Sequence, residues 1–195
     1  MSGPSAVQPP ARRLWLVRHA QPLVAPGVCY GRQDVPADAD ATRTCARALA
    51  PLLPQGSAVH HSTLQRCELL ALTLQALRPD LTLKPDPRLR ELDFGLWEGQ
   101  AWDAIGEDAV AAWTDAFATH RPGGGDSLVE MLERVAAALQ SARNAPVADV
   151  VWITHAGVAR CVDWLLTHGS ALPQAADWPM AAPGYGQWVV RDLAG

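Results

Sequence analysis

The chain has 195 residues, 49% of them hydrophobic and 18% charged, with a formal net charge of −4. That length suits one domain that buries roughly 70% of its unfolded surface. The apolar content excludes disorder, and no run approaches the twenty or so apolar residues of a membrane span. An acidic balance with Lys84 as the single lysine lacks the basic face that nucleic-acid binding requires, and it leaves lysine chemistry one candidate.

Residues 1–13 are rich in Pro, Ser and Ala. Their arginines sit at the wrong end for a signal peptide and no apolar run follows, so they read as a disordered lead-in to one domain over 14–195. Leu14-Trp15-Leu16-Val17 is a short, fully apolar run, the pattern of a strand covered on both faces. A polar loop follows to about Asp38. A helix is predicted from Asp40 to Leu53, stopped by Pro54 and Gly56, then a strand over Ser57 to His61. Leu64, Cys67, Leu70, Ala71, Leu74 and Leu77 recur at helical spacing up to Pro79.

Leu81-Thr82-Leu83 is strand-like, and an irregular and helical insertion runs over about 85–125. Its Trp97, Trp102 and Trp113, near Phe94 and Phe117, suffice for a small packing cluster. Ser127 and Glu130 have the spacing of a capping box at the start of a helix, which carries Leu128, Met131, Leu132, Val135 and Leu139 on one face. Val150 to Ile153 is another apolar strand, Gly157 to Leu166 a helix and Gln187 to Arg191 a last strand. This alternation predicts an α/β fold, three layers in α/β/α order around a mostly parallel sheet. Cys29, Cys45, Cys67 and Cys161 stand singly with no CxxC, the usage of reduced thiols in the cytoplasm rather than of disulfides or a zinc site.

Ligands of open α/β sheets bind beyond the carboxyl ends of the strands. The first strand here runs into Arg18-His19-Ala20, a later one into Thr154-His155-Ala156-Gly157, and a third ends at His61-Ser62 with Arg66 one helical turn on. Two histidines and two arginines, distant in sequence, are thus expected at one sheet edge.

These segments carry a family resemblance. Arg18-His19-Ala20 resembles the RHG signature of the histidine phosphatase (phosphoglycerate mutase-like) superfamily, with Ala20 in place of the usual glycine. The likeness continues in the family's order through Ser62-Thr63-Leu64-Gln65-Arg66, through Arg90 to Gly99 (RELDFGLWEG), through Pro122 to Leu128 and through Thr154 to Val158, over about residues 14–190.

A phosphate monoester is a dianion, which the rigid fork of arginine holds bidentately, so Arg18 and Arg66 are the expected clamp. The resemblance implies His19 as the nucleophile that forms a phosphohistidine, and His155 as a stabiliser of charge on the transferring oxygens. It also implies Glu91 as proton donor to the leaving alkoxide, with Asp93 and Glu98 in structural roles. The loop Val24 to Asp34 resembles the family's substrate-facing loop. Gly31 and Arg32 there, with Gln21 nearby, are expected to meet substrate. The scheme calls for no metal and no cofactor.

The implied function is a metal-independent phosphomonoesterase of a small-molecule phosphate ester. Tyr30-Gly31-Arg32-Gln33-Asp34 is similar to α-ribazole phosphatase-like members. Two alternatives use the same fold: a phosphoglycerate mutase, whose family members tend to be longer, and a non-catalytic phosphate-binding module, which would have lost His19 or Glu91. Substrate identity and oligomeric state are set by pocket and surface shape rather than by these motifs.

Local matches to other phosphate chemistry fail on context. Asp38-Ala-Asp40-Ala-Thr42 matches the DxDxT of aspartyl-phosphate enzymes, but a polar loop precedes it where that chemistry needs a buried strand, so the aspartates read as helix N-terminal residues. Gly123 to Ser127 has no following lysine and is no P-loop. No cysteine has an arginine six positions on, and no GxSxG occurs.

Overall fold

A computed structural model describes residues 12–193; of the expected lead-in, residues 1–11 lie outside the described residues. β1 (Arg13–Arg18) is the apolar run seen in the sequence, and its side chains alternate between two cores. Leu14 and Leu16 join α5 (Leu128–Arg143) and α6 (Ala156–His168) on one face. Trp15 and Val17 join α1 (Ala39–Leu49) and α2 (Gln65–Leu77) on the other. β4 (Asp149–Thr154) is buried at every position and divides the same way, Val150 and Trp152 against Val151 and Ile153. Each such aliphatic side chain contributes about 1.5–3 kcal/mol on burial. Strands apolar on both faces therefore demand two covering helical layers.

The sheet runs β3-β2-β4-β1-β5, with β2 (Ala58–His61), β3 (Thr82–Pro85) and β5 (Trp188–Asp192) completing it. All neighbouring strands are parallel except β5, which lies antiparallel to β1. The expected α/β/α layering is the observed one.

Two helix starts were foreshadowed by local chemistry. Asp38 caps α1 by accepting from Ala41 N at 2.7 Å, so the DxDxT match is a helix N-terminus. Ser127 and Glu130 form the reciprocal capping box of α5. The end of α1 differs from expectation: it stops at Leu49, not Leu53. Pro51 has no N–H for the helical ladder and its ring opposes the carbonyl four residues back, so it breaks the helix before Pro54 does. The insertion contains two short helices, α3 (Trp102–Ile105) and α4 (Glu107–Asp115), with single 3₁₀ turns around them.

The register sets the functional edge. Arg18 lies opposite Thr154 and His61 opposite Ile153. His19 N donates to Thr154 O at 3.0 Å, and Ser62 N to Ile153 O at 2.9 Å. The chain thus leaves β1, β4 and β2 at one level, with β4 in the middle.

Candidate active site

His19 and His155 come directly after adjacent strands, and their ring centroids are 5.1 Å apart. His19 is 2% exposed. Its Nδ1 lies 2.7 Å from Ala20 O. A carbonyl only accepts, so Nδ1 carries the hydrogen and Nε2 keeps its lone pair. Burial, with the Arg66 and Arg18 guanidiniums beside it, lowers the imidazole to about 3. It is therefore neutral across the physiological range. His155 is also held well below its ordinary value, by burial first and then by Arg66 and His19. Its Nε2 is 2.8 Å from Ser62 Oγ, which fixes the ring.

Arg66 is fully buried. Its Nη2 donates to Gly31 O at 2.6 Å and its Nη1 to Gln33 O at 2.8 Å, which aims the fork. Arg18 Nη1 donates to Pro183 O at 3.1 Å, and its guanidinium lies 3.8 Å from the centre of the Tyr185 ring. Tyr30, whose hydroxyl is 2.6 Å from that of Tyr185, stands 5.4 Å from the Arg66 guanidinium. The Nε atoms of both arginines are buried without a hydrogen-bond partner among the described residues. Neither arginine takes part in an ion pair there. Removing a cation from water costs several kcal/mol, and a carboxylate partner normally offsets it. Two such cations facing two neutral imidazoles make a site built for an anion.

Glu91 lines the same cavity, of about 510 Å³, as Arg18, His19, Arg66 and His155. Its carboxylate accepts from Gly157 N, at the start of α6, and from Leu92 N, each at 3.0 Å. A Cβ on Gly157 would lie 2.1 Å from Glu91 Oε1, so glycine is what admits the carboxylate there. Behind it, Arg134 of α5 donates to Arg88 O at 2.7 Å and Glu91 O at 3.1 Å, and also binds Arg90 O, tying down the backbone that presents Glu91.

The five expected catalytic residues thus surround one cavity. The three expected substrate contacts are not brought to it. Gln21 is exposed and meets Asp38 N through its carbonyl. Arg32 is exposed and turned outward, its Nη1 3.0 Å from Asp93 Oδ2. Gly31 acts through its carbonyl on Arg66, and its close packing on Leu92 O leaves no space for a side chain. Asp93 also accepts from Gly95 N, and Glu98 accepts from Arg32 N, Gln33 N and Phe94 N, so both carboxylates bind loops together.

Sequence reasoning missed Tyr185, Arg134, Arg160 and the cavity-facing role of the insertion's aromatics. Tyr185 and Arg134 carry no local pattern. The closely spaced aromatics are visible in the sequence but read there as packing. Among the described residues, no group of three His, Cys, Asp or Glu side chains converges as a metal site would. No helix there is long and apolar enough to cross a membrane.

Fold and site together define an α/β protein that gathers two histidines and two guanidiniums, the latter without ion pairs among the described residues, around one cavity at the carboxyl edge of its parallel strands. Residues 14–187 match the family model of the histidine phosphatase superfamily (branch 1), and the chain belongs to that superfamily. The mycobacterial glucosyl-3-phosphoglycerate phosphatase structure superposes with a TM-score of 0.75 at 29% identity, covering 92% of this chain and 89% of that one. An Escherichia coli "putative alpha-ribazole-5'-P phosphatase" gives a TM-score of 0.75 at 25% identity, covering 93% of this chain and 90% of that one. In sequence, the "Putative phosphoserine phosphatase 2" of Hydrogenobacter thermophilus is 28% identical over 163 residues, 80% of this chain and 79% of that protein.

Proposed function

We propose that this protein is a phosphomonoesterase of small phosphate esters that works through a phosphohistidine. One observation carries the reading. His19 donates its Nδ1 hydrogen to a backbone carbonyl, which leaves Nε2 as a lone pair in a cavity shared with two guanidiniums that have no carboxylate partner among the described residues.

In the first step Nε2 attacks phosphorus, the P–O bond to the alcohol breaks, and the leaving oxygen takes a proton from Glu91. In the second, water gives its proton to the Glu91 carboxylate and attacks phosphorus. The P–N bond breaks, and inorganic phosphate and the neutral imidazole are restored. Covalent catalysis divides one difficult displacement into two easier ones. Arg18, Arg66 and His155 hold the equatorial oxygens as negative charge builds up on them, where preorganised donors lower the barrier most. Side chains serve each step without a metal ion. Residues 14–195 serve as one domain with an insertion over about 85–125. The four buried free thiols suit the reducing cytoplasm.

The test is rapid quenching with a ³²P-labelled ester in excess EDTA. An acid-labile, base-stable phosphoenzyme is expected, absent in His19→Ala, with turnover reduced about 10³-fold or more. A near-native rate in that variant, or a strict need for added magnesium, overturns the reading. Isomer exchange of 3-phosphoglycerate without release of phosphate would assign a mutase instead.

A further inference from the structure

Beyond the phosphate end, the cavity changes character. Phe94, Trp102, Trp113, Phe117 and Trp178 all line it, and each is half-buried. They form a continuous belt, with ring centroids 5.5 Å apart for Phe94–Trp102, 5.9 Å for Phe94–Trp113, 5.6 Å for Trp113–Phe117 and 5.8 Å for Phe117–Trp178. Trp97 is the buried backing behind them, 5.9 Å from Trp113, and does not line the cavity. The cluster therefore has a packed rear and an open front. Large apolar surface left uncovered in one place marks a binding site, because burying it within the protein would otherwise have been favourable.

Building on the phosphatase reading, we propose that the site takes phosphate esters whose alcohol carries a flat aromatic group, with this belt as its binding wall. The wall lies in the same cavity as His19, so a single ligand reaches both. A volume of about 510 Å³ falls in the range, roughly 300–1,000 Å³, that encloses a drug-sized ligand, far more than phosphate alone requires. The lining also argues against polar alcohols. Glu91 is its one carboxylate, at the phosphate end, so an ammonium group such as that of phosphoserine finds no second carboxylate in the lining to offset its desolvation. Away from that end the polar groups are Thr114, Arg160 and the indole N–H donors of Trp102, Trp113 and Trp178; Thr114 is the one side-chain acceptor among them, too few acceptors for the hydroxyls of a sugar. Arg160 is held by Met180 O at 3.1 Å and its Nε has no partner among the described residues, which leaves a planar cation beside the wall.

The experiment compares three alkyl esters on the full chain: 2-(2-naphthyl)ethyl phosphate and ethyl phosphate, whose leaving alcohols are of similar acidity, and O-phosphoserine, whose more acidic alcohol would by itself favour phosphoserine. The expected kcat/KM favours the naphthylethyl ester over each of the others by about 100-fold or more, from burial of the ring system alone. In Trp113→Leu and Trp178→Leu that ratio should fall about 10-fold. A ratio near one, a preference for phosphoserine, or ratios unaltered in both variants overturns the proposal. If no ester is hydrolysed, the phosphatase reading fails and the wall is judged separately by calorimetric titration of the wild-type chain. Naphthylethyl phosphate binding about 100-fold more tightly than ethyl phosphate supports it, and equal binding overturns it.

Discussion

Replacing Gly157 with alanine should separate catalysis from stability. The added methyl would lie 2.1 Å from Glu91 Oε1, 3.0 Å from Glu91 Cδ and 3.2 Å from Met131 Cε. To regain an ordinary contact of 3.4 Å, the oxygen must retreat by about 1.3 Å, the difference between those two distances. The carboxylate ends a flexible side chain, so it can move at little cost to folding. Its hydrogen bond from Gly157 N, now 3.0 Å, is weakened in the process. A helical position gains about 0.5–1 kcal/mol from Gly to Ala, which offsets much of that loss. Catalysis has no such compensation, since displacing a reacting group by about 1 Å costs roughly 10²-fold.

The expected variant therefore has a Tm within about 3 °C of the parent and a kcat/KM about 100-fold lower on an alkyl phosphate. The loss should be smaller on p-nitrophenyl phosphate, whose leaving group departs with little help from an acid. Steady-state kinetics on both esters with thermal melts would check this. An unimpaired rate on the alkyl ester, or an equal loss on both, would refute the placement of Glu91 as proton donor.

Three further outcomes are expected from the geometry. Arg66→Lys, which removes the fork held by Gly31 and Gln33, should lower kcat/KM by about 100-fold. It should also abolish the rise in Tm that vanadate gives the parent, worth about 2.7 kcal/mol at a hundred times Kd; a retained rise counts against Arg66 as an anion ligand. His19 is lowered to about 3 when folded, against about 6.5 unfolded, so between those pH values the unfolded chain binds the proton and the folded one does not. Stability from this group is complete above about pH 6.5 and is lost as pH falls below it. Urea unfolding at pH 7, 5.5 and 4.5 should accordingly show a shallower decline in His19→Asn than in the parent, by up to about 1.4 kcal/mol per pH unit; parallel curves would show that His19 is not buried neutral. Gly31→Ala places a Cβ 1.9 Å from Leu92 O, which is backbone and cannot swing away. A cost of about 1–3 kcal/mol and a Tm lower by roughly 2–12 °C are expected, read by thermal melts, and an unchanged Tm would contradict the close packing of that loop on the RELDFGLWEG segment.

Much of the site is legible because its motifs sit at strand ends. Leu14 to Val17 and Val150 to Ile153 announce buried strands, and the residues after each are expected at one sheet edge, so the strand pattern puts His19 and His155 at that edge; the sheet order, with β1 beside β4, makes them neighbours. The capping box of α5 and the Asp38 cap of α1 are equally visible, because capping is chemistry between residues a few positions apart. Arg32 shows the limit of such reading. Its loop lies next to the site in sequence logic, yet Asp93, sixty-one positions away, draws its guanidinium outward.

The sequence by itself determined the element order, the covering of the sheet on both faces and the identity of the side chains at its carboxyl edge. Those properties depend on local periodicity and on the types of residue at each strand end. Only the tertiary structure decided that Tyr185 lies beneath Arg18, that Arg134 anchors the Glu91 backbone and that the insertion's tryptophans turn one side to the cavity. Each of these joins segments far apart in the chain. Their meeting is settled by how the two cores pack, since an indole bears the same composition and local spacing whether it fills a core or lines a binding wall.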